Sequence, residues 1–137
     1  MKENAMLRCF AAVAVLFAVP AIAQEAASSG ETGMIVIYRG GSIIGAAGGC
    51  PVRHEGKEIV ELGRGKFAEW RVPPGRYILT NNRSGIEVNV APGETRYVRC
   101  QIKSGFMSGG AHLQIVDRKN FEEAKDSLER KDVAGGN

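Results

Sequence analysis

The stretch Lys66-Phe67-Ala68-Glu69-Trp70-Arg71-Val72-Pro73-Pro74-Gly75-Arg76-Tyr77-Ile78-Leu79 decides how this chain folds. Apolar and polar residues alternate from Ala68 to Val72, the period-2 pattern of a strand with one buried face, and a β-favouring run resumes from Tyr77 to Leu79. Pro73 and Pro74 forbid a helix between them, because proline has a fixed φ and no N–H to donate, while Gly75 tolerates the backbone of a tight reversal. The segment therefore reads as two strands folded across a rigid corner.

Similar segments lie on either side. Met34-Ile35-Val36-Ile37-Tyr38 is apolar on both faces, as expected of a strand in the middle of the fold. Cys50 to His54 and Glu58 to Leu62 read as a hairpin reversed at Gly56, and Ile86, Val88 and Val90 alternate with Glu87 and Asn89. Ala91-Pro92-Gly93-Glu94 is a turn. Thr95 to Lys103 then puts Val98, Cys100 and Ile102 on one face and Tyr97, Arg99 and Gln101 on the other. His112 to Val116 gives a last strand, and glycine-rich Ile43 to Gly49 reads either as a short irregular edge or as a loop.

Phe121, Ala124 and Leu128 recur at helical spacing within Asn120 to Lys131, with Asn120 as cap and Glu123 at the capping-box position. Its narrow apolar stripe predicts a surface helix, and Val133 to Asn137 is expected to fray. The expectation is a mainly β protein: a single antiparallel β-sandwich of seven to eight short strands with one C-terminal surface α-helix. No helices separate the strands before Asp117, which excludes a parallel sheet of βαβ units.

The amino-terminal segment reads as an address. Lys2 and Arg8 precede an apolar run from Phe10 to Val19, and Pro20-Ala21-Ile22-Ala23 places small residues before Gln24. This predicts a signal peptide over 1–23 cleaved between Ala23 and Gln24; translation from Met6 would give the same product. The run is shorter than the roughly 20 residues of a bilayer span, so no stable membrane span is expected after removal. Gln24 to Thr32 then forms a polar flexible leader, 33–117 the β-domain, and 118–137 the helix and tail. Cys9 precedes the apolar run, so it is not placed for lipidation, and a soluble periplasmic or secreted protein is expected.

Export into an oxidising compartment leaves Cys50 and Cys100, which share faces with Val52 and with Val98 and Ile102. A structural Cys50–Cys100 disulfide follows. A redox pair would sit closer in sequence at a helix start.

The formal charge is only +3, and Arg39, Arg53, Arg64, Arg71, Arg76, Arg83, Arg96 and Arg99 are scattered singly, as on the wet faces of strands. A nucleic-acid groove would concentrate them, so no nucleic-acid partner is expected. His54 and His112 are the only histidines and fall in no metal-ligand spacing. There is no Gly-x-Ser-x-Gly elbow and no phosphate-binding glycine loop, and the acids Glu58 with Glu61 or Glu69 with Glu87 read as exposed strand residues. Catalytic residues, metal ligands and cofactors are expected to be none. Ser104 to Ala111 carries Phe106 and Met107 between glycines, which either tuck over the open end of the core or contact a partner.

Taken in order, these pieces resemble the bacterial domain of unknown function 2846 family of small exported or lipid-anchored β-rich domains. The resemblance is carried by Ile35-Val36-Ile37-Tyr38-Arg39, by Val52 to Lys57, and by Gly65-Lys66-Phe67 through Pro73-Pro74-Gly75-Arg76-Tyr77. It continues through Ala91 to Arg99, then Gly105-Phe106-Met107 followed by Leu113 to Val116, and covers about Gly33 to Asp117. It implies a sandwich in the cell envelope and brings no activity to carry over. The expected function is a non-enzymatic binding or interaction module for an envelope protein or small molecule, acting through a strand edge or through Phe106 and Met107. The alternative is a small-ligand-binding sandwich or an enzyme of unrecognised type, for which His54 or His112 in an enclosed pocket would be the sign.

Overall fold

The computed structural model describes residues 30–43, 48–105 and 110–135. The expected signal segment with its Ala23–Gln24 junction, most of the expected leader, part of the Ile43 to Gly49 segment, and Phe106 and Met107 lie outside the described residues. Nine strands and one helix follow in order: β1 (Gly33–Arg39), β2 (Cys50–His54), β3 (Lys57–Leu62), β4 (Lys66–Val72), β5 (Gly75–Thr80), β6 (Gly85–Val90), β7 (Thr95–Lys103), β8 (Gly110–Val116), α1 (Arg118–Lys125) and β9 (Glu129–Arg130).

The strands form a five-stranded sheet ordered β8-β7-β1-β4-β9 and a four-stranded sheet ordered β3-β2-β5-β6. Their inner faces share one core: Ile35, Ile37, Ala68, Val72 and Val98 from the first sheet meet Val52, Leu62, Leu79, Val88 and Val90 from the second. Neither sheet closes on itself. The two-sheet, mainly β expectation holds, with two corrections. There are nine strands rather than seven or eight, and the sheets are not purely antiparallel, because β1 runs parallel to β7 and β4 parallel to β9. Residue pattern sets which face of a strand is buried but not which strand lies beside it.

β1 is central because both its faces are covered. Ile35 and Ile37 enter the intersheet core, while Val36 and Tyr38 join a second cluster with Phe121 and Leu128 on the outer face of the five-stranded sheet. Phe121 is the hub of that cluster, with ring centroids 5.3 Å from Tyr38, 5.7 Å from Phe67 and 5.4 Å from Tyr97. The helix is capped three residues before the expected Asn120: Asp117 is the N-cap, its Oδ1 accepting from Asn120 N at 2.9 Å. It ends at Lys125, and Leu128 reaches the same cluster from beyond it.

The diproline corner joins the two sheets, β4 ending at Val72 and β5 beginning at Gly75. Gly75 is nearly extended, at φ +159°, so the reversal is made at Pro73 and Pro74. The β2–β3 hairpin turns at Glu55 (φ +51°) and Gly56 (φ +77°), two consecutive left-handed residues that match the twist of a tight hairpin. A bulge between Val52 and Arg53 skips Ile59, which lets Ile59 and Val60 both be buried although they are adjacent.

Candidate functional site

The β2–β3 hairpin is short. β2 pairs with β5 only at Arg53↔Thr80 and His54↔Leu79 before the chain reverses. Among the described residues, the lower half of β5, Gly75 to Ile78, therefore has β6 on one side and no strand on the other. The result is a notch in the four-stranded sheet beneath the hairpin tip.

Three aromatic rings fill its floor. His54 is the last residue of β2, Trp70 faces inward from β4, and Tyr77 faces inward from β5 just after the diproline corner. Their centroids are 5.5 Å (His54–Trp70), 5.3 Å (His54–Tyr77) and 5.4 Å (Trp70–Tyr77) apart, and all three are half-buried. The geometry is that of tilted and edge-to-face packing. The trio is also held by polar contacts. His54 Nδ1 lies 3.1 Å from Ile78 O, and since a carbonyl only accepts, Nδ1 carries the proton. The Tyr77 hydroxyl donates to Pro73 O, tying the ring to its own corner, and burial raises its pKa above the usual phenol value. Ile78, beside the trio but on the outer face, is 41 % exposed.

Two other edges are bridged by the chain itself, while among the described residues the outer side of β6 also has no strand beside it. On β8, Leu113 N donates to Ser84 Oγ at 2.9 Å, and Ala111 O accepts from Asn81 Nδ2 at 3.0 Å. Across the β3 and β4 edges runs the carboxy-terminal segment: Lys131 N donates to Phe67 O and Ala134 N to Ile59 O, each at 2.7 Å, and Val133 packs on the core. The fraying expected from Val133 onward is therefore not found at Val133 or Ala134, which are held against the domain. Natural sheets protect their edges from pairing with other chains, so an edge left open beside an aromatic surface stands out.

The disulfide expected from the sequence is present. Cys50 on β2 and Cys100 on β7 are bonded across the core with Cα atoms 6.6 Å apart, which links the two sheets. His54 and His112 are not brought together: His54 faces the intersheet core, whereas His112 pairs with Gln101 on the other sheet, with its side chain on the face shared with Val116. Nor are Glu69 and Glu87, each of which meets an arginine instead, Arg130 at 3.3 Å and Arg76 at 2.8 Å. Among the described residues no group of three His, Cys, Asp or Glu side chains could hold a metal ion, and no helix is long and apolar enough to cross a membrane. An open groove of about 580 Å³ lies where β7 starts beside the β8–α1 junction. Its arginines are paired within the chain, Arg96 with Glu94 at 3.2 Å and Arg118 with Glu122 at 3.4 Å, and its Asp117 carboxylate accepts from Asn120.

Arg39 corrects the reading of the arginines as strand surface. It ends β1 on the inward face and is 2 % exposed, its Nη1 donating to Leu62 O at 3.2 Å and to Gly48 O. Burial first, and then the neighbouring Arg64, lowers its pKa. Its place on the inward parity of Ile35 and Ile37 was the signal available in the sequence.

Two sheets over a shared core, bridged by an internal disulfide, define the class: a mainly β protein of a kind that persists in oxidising compartments. Residues 29–111 match the family described as protein of unknown function (DUF2846), more than half of the chain, and the chain belongs to that family. No curated protein and no solved structure matches it.

Proposed function

We infer that the chain is a non-enzymatic binding module of the bacterial cell envelope, an open β-sandwich exported to the periplasm that meets its partner through the notch beside β5. The observation that carries this reading is an open strand edge next to His54, Trp70 and Tyr77, while the β8 edge and the β3–β4 side are covered by the chain itself. The large apolar Ile78 left on the surface at that edge supports it. The disulfide supports the compartment, because thiols are kept reduced in the cytosol.

A photo-crosslinking amino acid placed at Ile78 is expected to give a discrete adduct in cells, and the same group at exposed Gln114 on β8 none. Placing it at Phe106 tests the contact expected from the sequence. Equal labelling at Ile78 and Gln114 would remove the notch as the contact surface.

A further inference from the structure

The notch, read as above as the binding surface, also specifies what kind of chain fits it. In an antiparallel sheet the N–H and C=O of one residue leave on the same side of the strand, and neighbours alternate. His54 on β2 reaches Ile78 O, so the main chain of Ile78 faces the β2 side. The main chain of Tyr77 therefore faces β6, and that of Arg76 again faces the β2 side, below the point where β2 stops at Leu79. The N–H and C=O of exposed Arg76 thus point along the notch. They are the hydrogen-bonding groups of a strand position that no described residue occupies.

We propose that this edge takes an extended peptide segment of another protein, added as a short strand beside Gly75 to Ile78. One apolar side chain of the peptide would turn inward onto His54, Trp70 and Tyr77. The backbone groups of Arg76 demand an extended partner, and the trio demands the apolar residue.

A second copy of this chain does not fit the same edge. In antiparallel pairing, opposed residues share a face, so a symmetric pair must centre on Arg76 opposite Arg76 or on Tyr77 opposite Tyr77. The first register sets Pro74, which has no N–H to donate, opposite Ile78, whose carbonyl already accepts from His54, so the pair gains no bonds beyond those between the two Arg76 residues. The second carries Gly75 of one copy to the level of Leu79 of the other, a position already held by His54.

The test uses linear peptides selected from a displayed library on the oxidised chain and then titrated by fluorescence of Trp70, the one tryptophan. Arg76→Pro removes the free N–H without touching the β5–β6 hydrogen bonds, as proline on an open edge does. Arg76→Ala keeps that N–H and removes the side chain. Selected peptides are expected to bind the wild type and Arg76→Ala alike and to bind Arg76→Pro about tenfold more weakly, the effect of one lost hydrogen bond. Should Arg76→Pro fold poorly by thermal melting, backbone N-methylation along the peptide gives the same answer: loss at alternate positions only. Equal binding by the proline and alanine variants, or uniform tolerance of N-methylation, overturns strand addition. An adduct at Ile78 in the crosslinking experiment would still leave the notch as a contact surface. A dimer that Arg76→Pro dissolves would make the occupant a second copy and overturn the proposal, and a library that yields no binder also overturns it.

Discussion

Arg39 closes the end of the core from which β1 departs, its guanidinium spent on the carbonyls of Leu62 and Gly48. Arg39→Ala leaves the buried Leu62 carbonyl without that donor and opens a cavity, so a loss of about 2–4 kcal/mol is expected in urea unfolding. Arg39→Lys should recover only part of it, because one ammonium cannot reproduce a planar fork of donors. A second residue-scale prediction concerns Asp117, whose pKa lies below the ordinary 3.8 because Asn120 N–H donates to the carboxylate. A depressed folded pKa means that the stabilisation is complete above the unfolded value and is lost as pH falls through the folded one. The melting temperature should therefore drop below about pH 4, and drop less in Asp117→Asn, whose amide oxygen caps at any pH. Equal acid sensitivity of the two proteins would remove Asp117 as a contributor. Both residues show where sequence reading stops. Arg39 has inward parity, but a charge type that is almost never buried outweighs parity. Asp117 and Asn120 are both good caps three residues apart, and the apolar spacing of Phe121 and Ala124 fits either.

At the scale of elements, alternation and turn chemistry placed the strands well: Met34 to Tyr38, Ala68 to Val72, Ile86 to Val90 and Thr95 to Lys103 all lie inside observed strands. What stayed illegible was non-local. β9 is two charged residues, Glu129 and Arg130, that are strand only because β4 lies beside them. The notch is likewise a consequence of where the β2–β3 hairpin ends against β5, a register that no local pattern carries. The segment from β9 to Ala134 acts as a strap over the β3 and β4 edges, with Lys66 and Glu69 of β4 paired to Glu129 and Arg130. Exposed ion pairs contribute little, so the strap's stabilisation lies in Val133 and in the main-chain bonds to Phe67 and Ile59. Deleting residues 129–137 is expected to cost about 2–3 kcal/mol in urea unfolding and to raise self-association measured by sedimentation, because two strand edges are uncovered. A truncated chain as stable and as monomeric as the intact one would show that the strap covers nothing of consequence.

For the whole molecule, the question is what keeps two unclosed sheets together. The five-stranded sheet has cores on both faces, but the four-stranded sheet has only the shared one, interrupted by the notch. The disulfide addresses this weakness. Cys50 belongs to β2, which holds β5 at only two positions, and Cys100 belongs to β7, which is flanked by β1 and β8. The bond thus ties the less paired sheet to the better paired one and closes a loop of 50 residues that contains β3 to β6. On the chain-entropy account, a loop of that length stabilises the folded state by about 4 kcal/mol. The Cys50→Ala/Cys100→Ala protein should be less stable than the oxidised wild type by that order in urea unfolding. In native-state hydrogen exchange the loss should reach β2 and β3 before β1 and β7. If instead protection falls evenly through both sheets, the shared core alone holds the layers, and the bond acts on the unfolded chain without securing the hairpin above the notch.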